Sequence, residues 1–333
     1  MKSLFAIVLV AVALLSSFPV LGAERMNTAY QSLSIGSSTP IWVAKEAGFF
    51  DGQGLDVKII FVEGSPRTIQ TLIAGESEIA ESTGPSVLNA RAAGSPVVII
   101  AGFINVMPYY LITTAAINSP ADLKGKIGAN NLPGTAADTV MRIGLKALGL
   151  DPDRDVSLRT IGNVPVRLQA MAAGAAQFMV GQDLELEQAK KLGFKVLVDY
   201  VAKKTPFQMG AAVTNERYAR EKRDTVLRYV KALAQALNYL KTNREGSIAI
   251  IARYARAMKS DVIGAAYDSV RRLYNDTPMP TLEGMDFIAK ELEQRNPKIR
   301  EVKSASTLDL EFVNELERTG FLKSLRGAEA HPP

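Results

Sequence analysis

The chain has 333 residues, with 39 Lys and Arg against 34 Asp and Glu, a formal charge of +5, one His and no Cys. An apolar fraction of 47% with 22% charged residues marks a globular protein of two domains or one elaborated α/β body and excludes disorder as its main state. The lack of Cys removes thiol nucleophiles, thiolate metal sites, disulfides and a lipidated N-terminal cysteine, and the single imidazole, His331 in the tail Gly327–Pro333, leaves little room for Ser-His-Asp triads or His-ligated metals.

Residues 1–23 open with Lys2, run apolar from Leu4 to Leu15 and close on Val20-Leu21-Gly22-Ala23, the pattern of a cleaved secretory signal peptide. A run of that length falls short of the ~20 residues that span a bilayer. The mature protein is therefore expected to be exported, periplasmic and not lipidated.

Strand and helix then alternate. Strands are expected over Ser32–Gly36, Asp56–Val62, Glu78–Ser82, Val97–Gly102 and Tyr109–Thr114, with helices over Thr39–Phe50, Ser65–Ala74 and from Gly84 to Ala93. A second series follows: strands at Lys126–Ala129, Val156–Thr160, Ala176–Val180 and Lys195–Asp199, and helices at Thr135–Leu148, Val164–Ala173 and Leu184–Leu192. After a last short strand, Gln208–Thr214, apolar residues at three- and four-residue spacing predict helices over Arg217–Thr242, Glu245–Met258, Ser260–Tyr274 and Thr281–Glu293. Such alternation implies parallel sheets covered on both faces. Two blocks and a helical tail suggest two lobes, with connections near Ala115–Asn118 and Thr205–Gly210. The expected division is 1–23 signal peptide, 24–116 lobe 1, 117–208 lobe 2, 209–326 the return of lobe 1, and 327–333 a tail.

The helix starts are distinctive. Thr39-Pro40, Ser65-Pro66, Gly84-Pro85-Ser86, Pro133-Gly134-Thr135 and Asn163-Val164-Pro165 place capping residues and Pro where a first turn needs them, directly after strands. In an open α/β sheet these loops gather where ligands bind, and unpaired N–H groups there attract anions. Arg67 is either a cation facing a ligand or a surface side chain. Trp42 reads as core, while Phe103, Tyr109 and Tyr110 suit an apolar wall. Asp183, Glu185 and Glu187 read as solvent-facing, except that Gln182 and Asp183 at a helix start reach toward the cleft. Arg217, Arg220, Lys222, Arg223, Arg228 and Lys231 are interleaved with Glu216, Glu221 and Asp224, which describes a solvated helix face and not a nucleic-acid surface. No phosphate loop or nucleophile elbow is present.

The segments TPIWVAKEAGFFDGQGLDVKII (39–60), GSPRTIQTLIAGESEIAEST (64–83), SPADLKGKIGANNLPGTAADTVMRIGLKALGLDPDRDV (119–156) and LERTGFL (316–322) resemble periplasmic solute-binding proteins of ABC importers, of the nitrate, sulfonate and taurine type. The resemblance implies a type II periplasmic-binding-protein fold, two α/β lobes joined by two crossover segments around a ligand cleft. It implies a monomeric, non-enzymatic receptor, without cofactor or metal, that closes on a small anionic organic solute and delivers it to a membrane permease and ATPase. Carried over, the ligand contacts fall on Ser37, Ser38, Thr39, Trp42, Ser65, Arg67, Thr83, Gly84 and Ser86 and on Pro133, Gly134, Thr135, Asn163 and Gln182; Tyr109 joins them from the residue reading, as apolar wall. The alternatives are an enzyme like thiamine-pyrimidine synthase, which consumes its own histidine, and a binding subunit that signals to a membrane sensor.

Overall fold

The computed structural model describes residues 23–33, 35–255 and 260–327. The expected signal peptide, apart from Ala23, and the expected tail with His331, apart from Gly327, lie outside the described residues. The strands are β1 (Glu24–Tyr30), β2 (Leu55–Phe61), β3 (Ile79–Ser82), β4 (Val97–Gly102), β5 (Tyr110–Thr113), β6 (Ile127–Asn130), β7 (Ser157–Thr160), β8 (Phe178–Gly181), β9 (Lys195–Asp199) and β10 (Ala211–Asn215). The first α-helices are α1 (Thr39–Glu46), α2 (Phe49–Gly52), α3 (Ser65–Ala74), α4 (Gly84–Ala92), α5 (Ala136–Ala147), α6 (Val164–Ala172) and α7 (Asp183–Lys191). They continue as α8 (Glu216–Glu221), α9 (Arg223–Thr242), α10 (Arg244–Tyr254), α11 (Ser260–Val270), α12 (Leu282–Leu292), α13 (Glu311–Arg318) and α14 (Phe321–Gly327).

Two five-stranded sheets result, in the orders β2-β1-β3-β10-β4 and β7-β6-β8-β5-β9. β1 runs parallel to β2 and β3, and β6 runs parallel to β7 and β8, as the strand–helix alternation predicts. Each sheet also holds one antiparallel strand between two neighbours, β10 between β3 and β4 and β5 between β8 and β9. These are the strands laid down just after the chain crosses from the other sheet.

The first crossing occupies residues 103–109, not Ala115–Asn118 as expected, so Tyr110–Thr113 belongs with the second sheet. All four of its residues are buried, and an apolar run of that kind fits the centre of either sheet; only the pairing decides. The return crossing covers residues 200–210. The two segments lie side by side: Phe103 N–H bonds Gly210 O at 2.8 Å, Met107 N–H bonds Thr205 O at 3.0 Å, and Phe207 N–H bonds Asn105 O at 3.0 Å. Val106 and Pro206 form an antiparallel bridge between them. The lobes are thus joined by a narrow hydrogen-bonded ribbon.

Other departures are local. The first strand is Glu24–Tyr30, and of the expected Ser32–Gly36 strand the described residues Ser32, Leu33, Ile35 and Gly36 belong to the loop beyond it. The expected Thr39–Phe50 helix is interrupted at Gly48, whose φ of 74° suits glycine and ends the first helical stretch. The expected Arg217–Thr242 helix breaks at Lys222 into α8 and α9. Helix α9 packs over α1 and α2, burying Val226, Tyr229, Val230, Leu233 and Leu237. Helix α11, expected with the first lobe, packs against α7 of the second.

Candidate functional site

Between the two sheets lies a cleft of about 190 Å³. One side is formed by Gln31, Ser32, Leu33 and Ser37 after β1, Phe61 at the end of β2, and Glu63 and Gly64 beyond it. The crossings contribute Tyr109 and Met209, and Tyr254 and Ala255 come from the end of α10. The opposite side brings together the starts of three helices, at Thr135–Ala137, Asn163–Pro165 and Gly181-Gln182, with Arg167 and Glu185 behind them.

Local sequence explains these helix starts. Thr135 Oγ1 accepts the Asp138 N–H at 3.3 Å, and Asn163 Oδ1 accepts the Val166 N–H at 3.5 Å. Gln182 and Glu185 cap each other reciprocally, with the Gln182 N–H donating to Glu185 Oε2 at 2.8 Å. The helix axes thereby aim partial positive charge at the cleft.

Arg167 is 2% exposed and, among the described residues lining the cleft, is the one cation. Its Nη1 donates to Val180 O at 3.1 Å, and its Nε, also buried, has no partner among the described residues. Burial pulls its guanidinium below the usual range, opposed by the nearby Glu185, Tyr109 and Glu63. Glu185 is 3% exposed, and burial raises its carboxyl, opposed by the Gln182 N–H and by Arg167. Tyr109 is raised by burial as well, so its phenol stays a neutral donor.

The other side is aromatic. Phe61 packs on Tyr30 with ring centroids 5.4 Å apart, and Tyr254 stacks on Trp42 at 4.5 Å and 1°. Phe61 and Tyr254 face the cleft, while Tyr30 and Trp42 support them from the core.

Of the residues singled out in the sequence, Ser37, Tyr109, Thr135, Asn163 and Gln182 line this cleft. The others are placed elsewhere. Ser38 donates to Glu81 Oε2 at 2.8 Å, Thr39 donates to Ile35 O at 2.6 Å, and Trp42 is fully buried behind Tyr254. Ser65, Thr83 and Ser86 form a buried hydroxyl cluster, with Ser86 Oγ 2.7 Å from Ser65 Oγ and Thr83 Oγ1 3.1 Å from it. Ser86 also donates to Gly134 O at 3.0 Å, tying the first lobe to the second. Gly84 is packed against Ile288 and Met285, and Pro133 and Arg67 are exposed. Asp183, Glu185 and Glu187 do not share a solvated face as expected. Asp183 and Glu185 are buried, and Asp183 Oδ1 receives Tyr110 OH at 2.8 Å and Ser269 Oγ at 2.6 Å.

Sequence reasoning missed Arg167, Glu185, Gln31, Glu63, Phe61 and Tyr254. A signal for Arg167 existed: it lies four residues after the Asn163 cap and four before buried Met171, on the inward face of α6.

Beneath the first-lobe loop, buried Glu81 receives Gln31 Nε2 at 2.6 Å, Gln31 N–H at 3.0 Å and Ser38 Oγ. Burial outweighs these donors and pushes its carboxyl up to about 7. Among the described residues, no group of three or more His, Asp or Glu side chains could hold a metal ion, and no helix is long and apolar enough to cross a membrane.

Comparison with known proteins places this geometry in a family. Residues 36–246 match the family described as NMT1/THI5 like. A formylaminopyrimidine-binding protein of Halalkalibacterium halodurans is 25% identical over 223 residues, 64% of this chain and 65% of that protein. The alkanesulfonate-binding protein SsuA of Xanthomonas axonopodis, solved bound to MOPS, superposes with a TM-score of 0.72 at 19% identity, covering 86% of this chain and 98% of its own. The periplasmic nitrate-binding protein NrtA of Synechocystis superposes with a TM-score of 0.74 at 14% identity, covering 89% of each chain. The fold is accordingly the periplasmic-binding-protein fold.

Proposed function

The chain belongs to the NMT1/THI5-like family, and on that premise we propose that it is the extracytoplasmic solute-binding component of an ABC importer. It captures a small organic anion between its lobes and hands it to a membrane permease and its ATPase. The observation that carries this reading is the two-faced cleft. Buried Arg167 and three helix starts offer charge and N–H groups on one side, while Phe61 and Tyr254 offer an apolar face on the other. The anionic group sits toward Arg167 and the body of the solute lies against the aromatic rings. Sulfonates are the first candidates, with nitrate and pyrimidines beside them, because the ligands in the relatives' names share this polarity in part.

Closure turns on the paired crossing segments, and the contacts Ser86 to Gly134 and Ser269 to Asp183 join the two sides when the cleft is shut. The protein acts as a monomer and as a binder, not an enzyme. A thiamine-pyrimidine synthase would need a histidine to consume, and the only one is His331.

The test is thermal unfolding of the protein from Glu24 onward against sulfonates, nitrate, carboxylates and pyrimidines. A ligand at ~100 times its Kd adds ~2.7 kcal/mol and raises the midpoint by several degrees. A stabilising anion recovered chemically unchanged supports the reading. Turnover of the stabilising compound, or stabilisation by cations alone, overturns it.

A further inference from the structure

The cleft poses an electrostatic problem for an anion. Its described lining holds one guanidinium, Arg167, but two carboxyl groups, Glu63 and Glu185. Glu63 and Glu185 both act on Arg167, so its charge is already shared before a ligand arrives. A solute anion drawn to Arg167 also comes to rest beside Glu185, away from water, where two like charges repel strongly.

We propose that a solute anion is bound in this cleft together with one proton, taken up from solvent by Glu185. The inference rests on the anion-binding reading above. Glu185 is suited to the role by its position: it is 3% exposed, lines the cleft, and commits Oε2 to the Gln182 N–H at the start of α7. The proton goes to its other carboxyl oxygen. There it cancels the negative charge and turns an acceptor-only group into one that donates an O–H to the anion. Burial already favours the protonated form, and a second negative charge favours it further.

The surrounding groups leave Glu185 as the site of uptake. From α6 comes Arg167, which holds the anion, and from the first crossing comes Tyr109, a neutral phenol. On its own helix stands Asp183, which already accepts Tyr110 OH from β5 and Ser269 Oγ from α11. Arg272, just beyond α11, acts on Tyr110. From β8 the nearest neighbour is Gly181, which brings no charge. Glu63 approaches from the first lobe and is half-buried, so water screens it better. Glu81 lies one layer below the first-lobe loop, behind Gln31, and acts on Tyr109.

The experiment uses anions that do not themselves titrate: benzenesulfonate, ethanesulfonate and nitrate. Their affinities are measured by titration calorimetry between about pH 5.5 and 8.5, in buffers of different ionisation enthalpy. The expected result is proton uptake, at most one per anion, and a Kd that rises with pH, by no more than tenfold per pH unit, wherever free Glu185 is ionised. Glu185→Gln keeps an acceptor for the Gln182 N–H, so it should still bind, with the pH dependence and proton uptake both lost. Glu81→Gln should retain both. A pH-independent Kd with no proton uptake in the unaltered protein overturns the inference but leaves anion binding standing. A dependence that survives in Glu185→Gln assigns the proton elsewhere and also overturns it. Binding of none of the three anions at any pH instead overturns the anion-binding reading beneath it.

Discussion

Glu81 offers a stability experiment that needs no ligand. Its carboxyl stands at about 7 in the folded protein against an ordinary value of 4.5, because burial disfavours the charge more than Gln31 and Ser38 support it. Between those two values the unfolded chain has lost the proton and the folded chain keeps it. Stability contributed by this group is therefore fully present below pH 4.5 and falls as pH rises, levelling off above about pH 7. At 1.36 kcal/mol per pH unit, the loss across that window is about 3 kcal/mol. Glu81→Gln removes the titration while keeping the site polar. Its carbonyl can accept the Gln31 N–H and the Ser38 hydroxyl, and its amide can meet a flipped Gln31 side chain. Urea unfolding of both proteins at a series of pH values isolates the effect, since the other titrating groups cancel in the difference. The variant should gain about 3 kcal/mol relative to the unaltered protein between pH 4.5 and pH 8. A difference that stays constant with pH would refute the reasoning and mean that Glu81 is ionised throughout.

Arg167→Met should weaken binding of the stabilising anion by more than tenfold, because losing a buried charge-assisted contact costs ~2–5 kcal/mol, while exposed Arg67→Ala should change it by less than about twofold; calorimetry on both variants checks this. Trp42→Ala should cost about 3–5 kcal/mol in denaturant unfolding, as a large buried side chain leaves a cavity behind Tyr254. Trp42→Phe should cost less than half of that, since it also removes a buried indole N–H that has no partner among the described residues. Ser269→Ala removes a hydroxyl that reaches Asp183 from α11, and should lower stability by about 1 kcal/mol and loosen ligand binding.

Much of the fold was legible because the buried strands and capped helices carry strong local signals. Val97–Gly102, Lys195–Asp199 and Ser65–Ala74 lie at the expected residues. The strand Glu24–Tyr30 was hidden because its polar residues Glu24, Arg25 and Asn27 break any apolar run, and its partners β2 and β3 are distant in sequence. The site was harder for a different reason. A small polar residue at a helix start looks the same whether its hydroxyl meets a ligand or another hydroxyl. In the first lobe Ser65, Thr83 and Ser86 satisfy one another, whereas in the second Thr135 and Asn163 stand at the cleft. The two arginines show how helix phase decides the matter. Arg67 shares its face with exposed Gln70 and half-buried Thr71, while Arg167 shares its face with buried Met171. Phe61 and Tyr254 come from a strand end and a distant helix end, and only the tertiary fold brings them to one wall.

The placement of β10 between β3 and β4 also sets a timetable for synthesis. β4 is buried along its whole length and, among the described residues, has β10 as its one strand neighbour in the sheet. When that apolar segment emerges from the ribosome, its partner has yet to be made. At about 5–20 residues per second, the hundred or so intervening residues take on the order of 5–20 s. Throughout that interval the nascent chain carries an unpaired apolar edge of the kind that invites association with other chains. The first lobe's sheet is therefore completed only after the second lobe has been translated, and a ribosome paused in the second would prolong the exposure of the first.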